Sequence, residues 1–358
     1  MKLPLLLAGA ASSVVLAACG HHGGTAAGAD NSAAAAPSAV AAPAPLKLAA
    51  TTEFPGYTGD FDHFAIDTKD GRLFLAGEEY HELEVLDRAT GKIIQRMPGY
   101  GAPHSMLYMP DANEMLVIDG EKPSPVLDAA TLKVKRSYKL PAGADSAAYD
   151  GSTKHLWVVT GGKDVPQKDS NLIELDPVTG KIVKSVHFDA DHVEALAVEQ
   201  NGPNLYINVT DKNYLAVIDK AAGKVVKQWK IKEAEQNAPL AMDEKTHRLF
   251  VVTRKPGKLV ILNADTGATI AVFKAPERTD QVTWDPDNRR IYVTGGEGYT
   301  GVVEQDDADH YREVAQVKTA PGAKTAILDS DHKRLWIAAS PGDTQAMGKL
   351  LGYDVLPR

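Results

Sequence analysis

Cysteine is almost absent from this chain. Cys19 is the single one among 358 residues, so no disulfide can form within the chain. The folded body can offer neither a thiolate nucleophile nor a Cys-x-x-Cys-His haem attachment. Positive charge is also scarce. Lys and Arg number 39 against 47 Asp and Glu, a formal net charge of −8; such a surface opposes phosphate backbones and excludes nucleic acid as an expected partner. Neither Gly-x-Ser-x-Gly nor His-Glu-x-x-His occurs, which removes the nucleophile elbow and the zinc-protease helix. The glycine-rich run Gly295–Gly298 lies between two predicted strands. Without a helix N-terminus it cannot form the usual phosphate cradle.

What is present starts at the amino terminus. Residues 1–18 have a basic start, an apolar core and small residues before Cys19. That is the pattern of a secretory signal, too short and wrongly flanked to span a membrane. Leu16-Ala17-Ala18-Cys19 resembles the bacterial lipobox, which implies lipidation at Cys19 and a membrane as partner. Gly20 after the cysteine favours the outer membrane, on resemblance to lipoprotein sorting rules, with the protein on the periplasmic side. Over residues 19–45 Ala, Gly, Pro and Ser dominate, a composition that reads as a disordered tether. His21 and His22 read as a solvated pair within it.

From Leu46 the chain repeats. An apolar pair recurs as Leu73-Phe74, Met115-Leu116, Leu156-Trp157, Leu205-Tyr206, Leu249-Phe250, Ile291-Tyr292 and Leu335-Trp336, at steps of 41–49 residues. A turn recurs as Asp87-x-x-Thr-Gly91, Asp128-x-x-Thr131, Asp176-x-x-Thr-Gly180, Asp219-x-x-x-Gly223 and Asn263-x-x-Thr-Gly267. In it the Asp or Asn caps backbone amides and Gly takes the positive-φ position. A short apolar strand precedes each pair by about six residues, as in His63–Asp67 and Gln281–Asp285. Seven units of four short strands, A to D, define an all-β seven-bladed β-propeller over residues 46–358. The seventh unit ends after its third strand, so Leu46–Phe54 is expected to supply the fourth and close the ring. Trp157, Trp284 and Trp336 fall at inter-blade core positions, and Trp229 falls on an outer strand.

Residues 46–358 resemble the YVTN-type seven-bladed propellers, a group that includes periplasmic YncE-like proteins. The resemblance rests on Arg290-Ile-Tyr-Val-Thr-Gly295, Asn204-Leu-Tyr-Ile-Asn-Val209 and the Asp-x-x-Thr-Gly turns. It is specific for fold and weak for activity. The sixth repeat departs from it, with Glu304–His310 in place of the turn.

In a propeller the A strands line a central channel, and the loops entering them share one rim with the B–C loops. Aligning the A strands on Asp67, Met109, Asp150, Glu199, Asp243, Asp285 and Asp329 places Asp62, His104, Asp145, Glu194, Ala238, Asp280 and Lys324 five residues upstream. Six of the seven are ionisable, with His63, His192, Arg278 and Gln281 nearby. The ligand-binding candidates are therefore Asp62, His63, His104, Asp145, His192, Glu194, Asp280 and Lys324, suited to a cationic or polyhydroxylated ligand. Turn capping in a solvated channel is the competing reading. Tyr80 and His81 could extend the rim from a B–C loop, and the insertion Lys163–Asp169 could overhang it.

Two functions follow. One is an envelope-anchored binding or scaffold lipoprotein holding a small molecule or a partner protein at the channel mouth, with no resident cofactor. The alternative, from fold analogy, is a hydrolase or lactonase-like enzyme using the same acids and histidines, with a divalent metal ion on His104, Asp62, Asp145 and Glu194. The anchor is testable at once: Cys19→Ala should move the protein from the membrane fraction to a soluble or uncleaved form. Unchanged fractionation would sink the lipid anchor.

Overall fold

The computed structural model describes residues 44–163, 165–166, 168–342 and 347–358. The expected signal segment, Cys19 and the tether up to residue 43 lie outside the described residues. The rest forms seven antiparallel sheets of four strands each. Blades 1 to 6 are consecutive in sequence, from Phe64–Pro98 to Gln281–Lys318. In blade 7 the order outward is Ala323–Asp329, Arg334–Ala339, Gly348–Val355 and then Leu46–Phe54. The register runs from Leu46 opposite Val355 to Phe54 opposite Gly348, so the amino-terminal strand closes the ring as its sequence required.

Each repeated apolar pair sits in the B strand, where both faces are covered by neighbouring blades. All fourteen residues are 0–3% exposed, and burying each such side chain contributes roughly 1.5–3 kcal/mol. The apolar clusters straddle blade boundaries. Trp157 and Leu172 of blade 3 pack with Leu205 and Ile207 of blade 4, and Trp336 and Leu350 of blade 7 pack with Leu73 and Leu75 of blade 1. Trp284 faces Phe250 with centroids 5.1 Å apart across blades 5 and 6 but is only half-buried, because A strands border the channel. Trp229 on its outer strand is half-buried against Tyr206.

The C–D turns are built as the motif dictates. Asp87 accepts the Thr90 amide at 2.7 Å and Asn263 accepts that of Thr266 at 3.0 Å. Gly180 and Gly267 have φ of +75° and +73°. Each also lies under an aromatic ring of the preceding blade: a Cβ on Gly180 would fall 2.1 Å from Tyr138, and one on Gly267 2.4 Å from Trp229. Glycine is required twice over, for backbone and for packing. In blade 6 the departing sequence uses Asp307 instead, which caps the amides of Asp309 and His310 at 2.9 and 3.0 Å.

These two requirements separate by experiment. Gly71 has φ of +67° with nothing within 4 Å of an added Cβ, so Gly71→Ala should cost about 1 kcal/mol, the backbone part alone. Gly180→Ala should cost a further 1–3 kcal/mol or so from the clash with Tyr138. Equal shifts in urea midpoint for the two variants would show that the ring contact carries no weight.

Candidate functional site

The A strands begin irregularly, and this positions the site. In blades 2, 4, 5 and 7 the A–B ladder skips between Pro103 and Met106, Val193 and Leu196, Asn237 and Leu240, and Ala323 and Thr325. The aligned residues His104, Glu194, Ala238 and Lys324 sit inside these skips. In blades 1, 3 and 6 the aligned residues Asp62, Asp145 and Asp280 precede the A strands, which start at Phe64, Ala147 and Gln281. An unpaired or bulged residue is free to turn its side chain out of the pleat. The ionisable ones all line one cavity of about 690 Å³, together with His63, His192 and Arg278. Gln281 is not part of its wall.

The segment carrying Asp60, Asp62 and His63 is fixed from behind. Phe61 is 1% exposed and stacks on Tyr57 with centroids 4.0 Å apart, and its amide donates to Ser340 Oγ at 3.0 Å. The Asp62 amide donates to the Ala76 carbonyl at 2.9 Å, and the Ala76 amide returns to the His63 carbonyl at 3.0 Å. Asp145 is tied in the same way to Val159 at 3.0 Å. Tyr80 packs on Tyr57, centroids 4.7 Å apart, while the exposed His81 bonds through Nδ1 to the Gly101 carbonyl; neither reaches the cavity. Lys163 and Val165 of the insertion do line it.

Two residues that sequence reasoning passed over complete the wall. Arg254 ends the B strand of blade 5 and reaches Glu194 of blade 4 at 3.1 Å and Asp280 of blade 6. Blade 5, whose aligned residue is the uncharged Ala238, therefore supplies its charge from the B–C side. Glu78 enters from the B–C turn of blade 1. Glu78 belongs to a B–C loop already expected on the rim and Arg254 to the strand end that borders another, so a scan of that rim for charge would have found both residues.

Among the described residues the wall carries nine carboxylates against four Lys or Arg side chains and three imidazoles, and it divides into two halves. Blades 4 to 7 form a chain of alternating charge that ends on the segment entering blade 1: Glu194, Arg254, Asp280, Lys324 and Asp60, with Lys324 at 2.7 Å from Asp280 and 2.8 Å from Asp60. His192 adds a bond to Glu194. In blades 1 to 3 the carboxylates share imidazoles instead. His104 Nδ1 is 2.7 Å from Asp62 and 3.5 Å from Asp145, and His63 Nε2 is 3.5 Å from Asp62.

Protonation follows this division. Burial raises the Glu194 carboxyl, but His192 and Arg254 overcome it and bring it down to about 2. Burial works likewise against Asp62, and His63, His104 and Lys324 hold it below the usual carboxylate range. Asp145 rises to about 6 through burial, which His104 only partly offsets, with Asp62 adding to the rise. Glu78 rises to about 7 through burial and Asp62. Burial lowers the imidazole of His104, yet Asp145, Asp62 and Glu78 together take it to about 10. Ligand atoms of Asp62, His63 and Asp145, and separately of Asp62, Glu78 and His104, lie within 4.8 Å of one another. Glu194 belongs to neither group, so the four-residue metal set His104, Asp62, Asp145 and Glu194 does not assemble; Arg254 holds Glu194 elsewhere.

A seven-bladed propeller with a charged, acid-rich mouth is the class that fold and geometry define. The profile of the PQQ_2 family, described as outer membrane protein assembly factor BamB, matches residues 151–350, and the chain belongs to this family. Two curated relatives, each named uncharacterized protein YncE, come from Salmonella typhi and Salmonella typhimurium and are 23% identical over 210 residues. These matches take in 58% of this chain and 57% of each relative, so the chain spans little more than half the length of the curated relatives it matches. The resemblance to YncE-like seven-bladed propellers is borne out. Among solved structures, Kuenenia stuttgartiensis hydrazine synthase matches with a TM-score of 0.66 at 16% identity, over 79% of this chain and 94% of that one. A chain of a mitotic checkpoint complex matches with a TM-score of 0.69 at 14% identity, over 92% and 98%. Both likenesses show the fold alone.

The His104 environment has a pH signature. Its pKa is raised on folding, so its stabilising contribution is complete below the unfolded value near 6.5 and is lost as pH rises through about 10. Wild type should therefore lose stability between pH 6.5 and 10 more steeply than His104→Gln, measured by urea unfolding. Parallel curves would show that His104 is not held charged by its neighbours.

Proposed function

We propose that this protein is a ligand-binding propeller of the bacterial envelope, anchored through Cys19, that holds a small cationic or polyhydroxylated molecule at the channel mouth. The observation that carries this reading is the cavity of about 690 Å³ with its excess of carboxylates. Its volume falls within the roughly 300–1,000 Å³ of small-molecule sites, but its wall is polar where most such sites are apolar. A neutral apolar guest would strand these groups without partners. An ammonium group or a set of hydroxyls meets them as donors. The fixed backbone behind Asp62 and Asp145 means that little order has to be gained on binding. Kinship with a family described by an outer membrane assembly factor agrees with the envelope setting and with a role in holding a partner.

A hydrolytic enzyme at the same mouth is the second reading. It is favoured by Asp145 and Glu78, with carboxyl groups raised to about 6 and 7, standing beside an Asp62 that stays ionised. Such a contrast separates acid from base roles.

A thermal-shift series with spermidine, neutral polyols, dicarboxylates and lactones tests both. Spermidine or a polyol should raise Tm by about 2–5 °C at saturation, dicarboxylates should not, and Asp145→Asn should diminish the shift. Acid release from a lactone that is lost in Asp145→Asn would establish the enzymatic reading. Absence of any shift and of any turnover would end both.

A further inference from the structure

The half of the mouth built by blades 1 to 3 contains separations that hydrogen bonding does not explain. His63 Nε2 stands 3.5 Å from Asp62 Oδ1, and His104 Nδ1 stands 3.5 Å from Asp145 Oδ1. N–H···O bonds lie at about 2.7–3.2 Å, so these imidazoles and carboxylates are close without being bonded. Donor atoms held about 2.0–2.2 Å from a tetrahedral ion are themselves some 3.3–3.6 Å apart. Ligand atoms of Asp62, His63 and Asp145 converge within 4.8 Å of one another.

We propose that Asp62 Oδ1, His63 Nε2 and one carboxylate oxygen of Asp145 form a three-ligand site for a divalent cation of borderline softness, zinc foremost. Two carboxylates balance the charge of the ion, and the imidazole selects against calcium and magnesium, which take oxygen. The ligands stand on anchored backbone. Asp62 and His63 are tied reciprocally to Ala76, and Asp145 to Val159, so the donors stay in place before any ion arrives. The far oxygen of Asp62 is oriented by His104 Nδ1 at 2.7 Å, the outer hydrogen bond that metal-binding carboxylates commonly have. His104 is thus a positioning residue. Three protein ligands in the cavity wall leave a coordination position facing the cavity, where a hydroxyl or carbonyl of a guest could reach the ion. This inference rests on the mouth being a ligand site and names the chemistry of one half of it.

The test uses the full chain with His21→Ala and His22→Ala, which removes an adventitious pair in the tether. Equilibrium dialysis against zinc chloride, with metal content measured by plasma emission, should give one zinc per chain. His63→Gln and Asp145→Asn should each weaken binding at least about tenfold, and His104→Gln about as much through orientation. His310→Gln, at an exposed His–Asp pair on an outer turn, should leave it unchanged. Circular dichroism melts confirm folding of each variant; if one does not fold, cobalt loading of the parent chain replaces it, and the visible bands of a low-coordinate site are the expected result. Absence of stoichiometric zinc, binding undiminished in both His63→Gln and Asp145→Asn, or absence of those bands overturns the proposal. Spermidine or polyol shifts that persist when zinc fails would leave the ligand cavity standing without the metal.

Discussion

A propeller blade is apolar on both faces and can bury them only against two neighbours, so the ring must close. Here closure depends on Leu46–Phe54 pairing with Gly348–Val355. Without it, blade 7 would lack its outer strand and the edge of Gly348–Val355 would face solvent with unpaired amides and carbonyls. Polar contacts reinforce the same seam. Arg88 of blade 1 binds Asp329 of blade 7 through Nε at 2.7 Å, with both groups buried. The closing strand also feeds the mouth. Phe54 packs on Phe61 with centroids 5.0 Å apart, and Asp60, Asp62 and His63 follow at once. Closing the ring and placing the first blade of the site are therefore one act of packing.

The mouth gains its charge because the A strands are imperfect where they meet it. A residue in a regular ladder points either into a neighbouring blade or into the opposite one, and a charge at the former would be costly to bury. Residues at a skip or before the first pair escape that choice. His104, Glu194 and Lys324 use the first route, and Asp62, Asp145 and Asp280 the second. Ala238 occupies the same kind of skip yet is 1% exposed, and Arg254 brings charge to that sector from another strand.

The propeller was legible because its period is imposed by packing. Every blade needs an apolar pair in its B strand, and blades 1 to 5 share a capped turn between C and D, so Leu249-Phe250 recurs in seven versions and Asn263–Gly267 in five. The positions of Asp62, His104, Asp145, Glu194, Asp280 and Lys324 were legible for a related reason: they hold a constant offset from A-strand residues that the period locates. Their partners were not. Arg254 reaches from the end of one strand to two blades on either side, and nothing in local sequence encodes that span. Glu194 stands in neither group of converging ligand atoms and pairs with Arg254 instead. Tyr80 and His81 share a B–C turn with Glu78, and only the fold shows that Glu78 alone of the three faces the cavity.

The other end of the same A strands shows why acid content by itself does not mark a site. Asp67, Asp150, Glu199, Asp243, Asp285 and Asp329 form a second ring of acids there, all at most 5% exposed. Each is consumed by local structure. Asp67 caps the Lys69 amide and binds Arg72 at 2.6 Å; Asp150 takes Lys220 at 3.1 Å; Glu199 accepts the Tyr206 hydroxyl at 2.7 Å; Asp285 caps Asp287 and Asn288. Burial opposes the charge on Asp67 and Asp329, but their arginines reverse it and both lie below the usual carboxylate range. At the mouth the balance is different. Asp145 and Glu78 are raised first by burial and then by neighbouring acids, which the shared imidazole of His104 only partly offsets. Carboxylates with dedicated partners stabilise turns and seams, whereas carboxylates that must share partners next to open volume gain most when an outside cation arrives. The same residue type, at the two ends of one strand, thus serves the fold at one end and leaves chemistry available at the other.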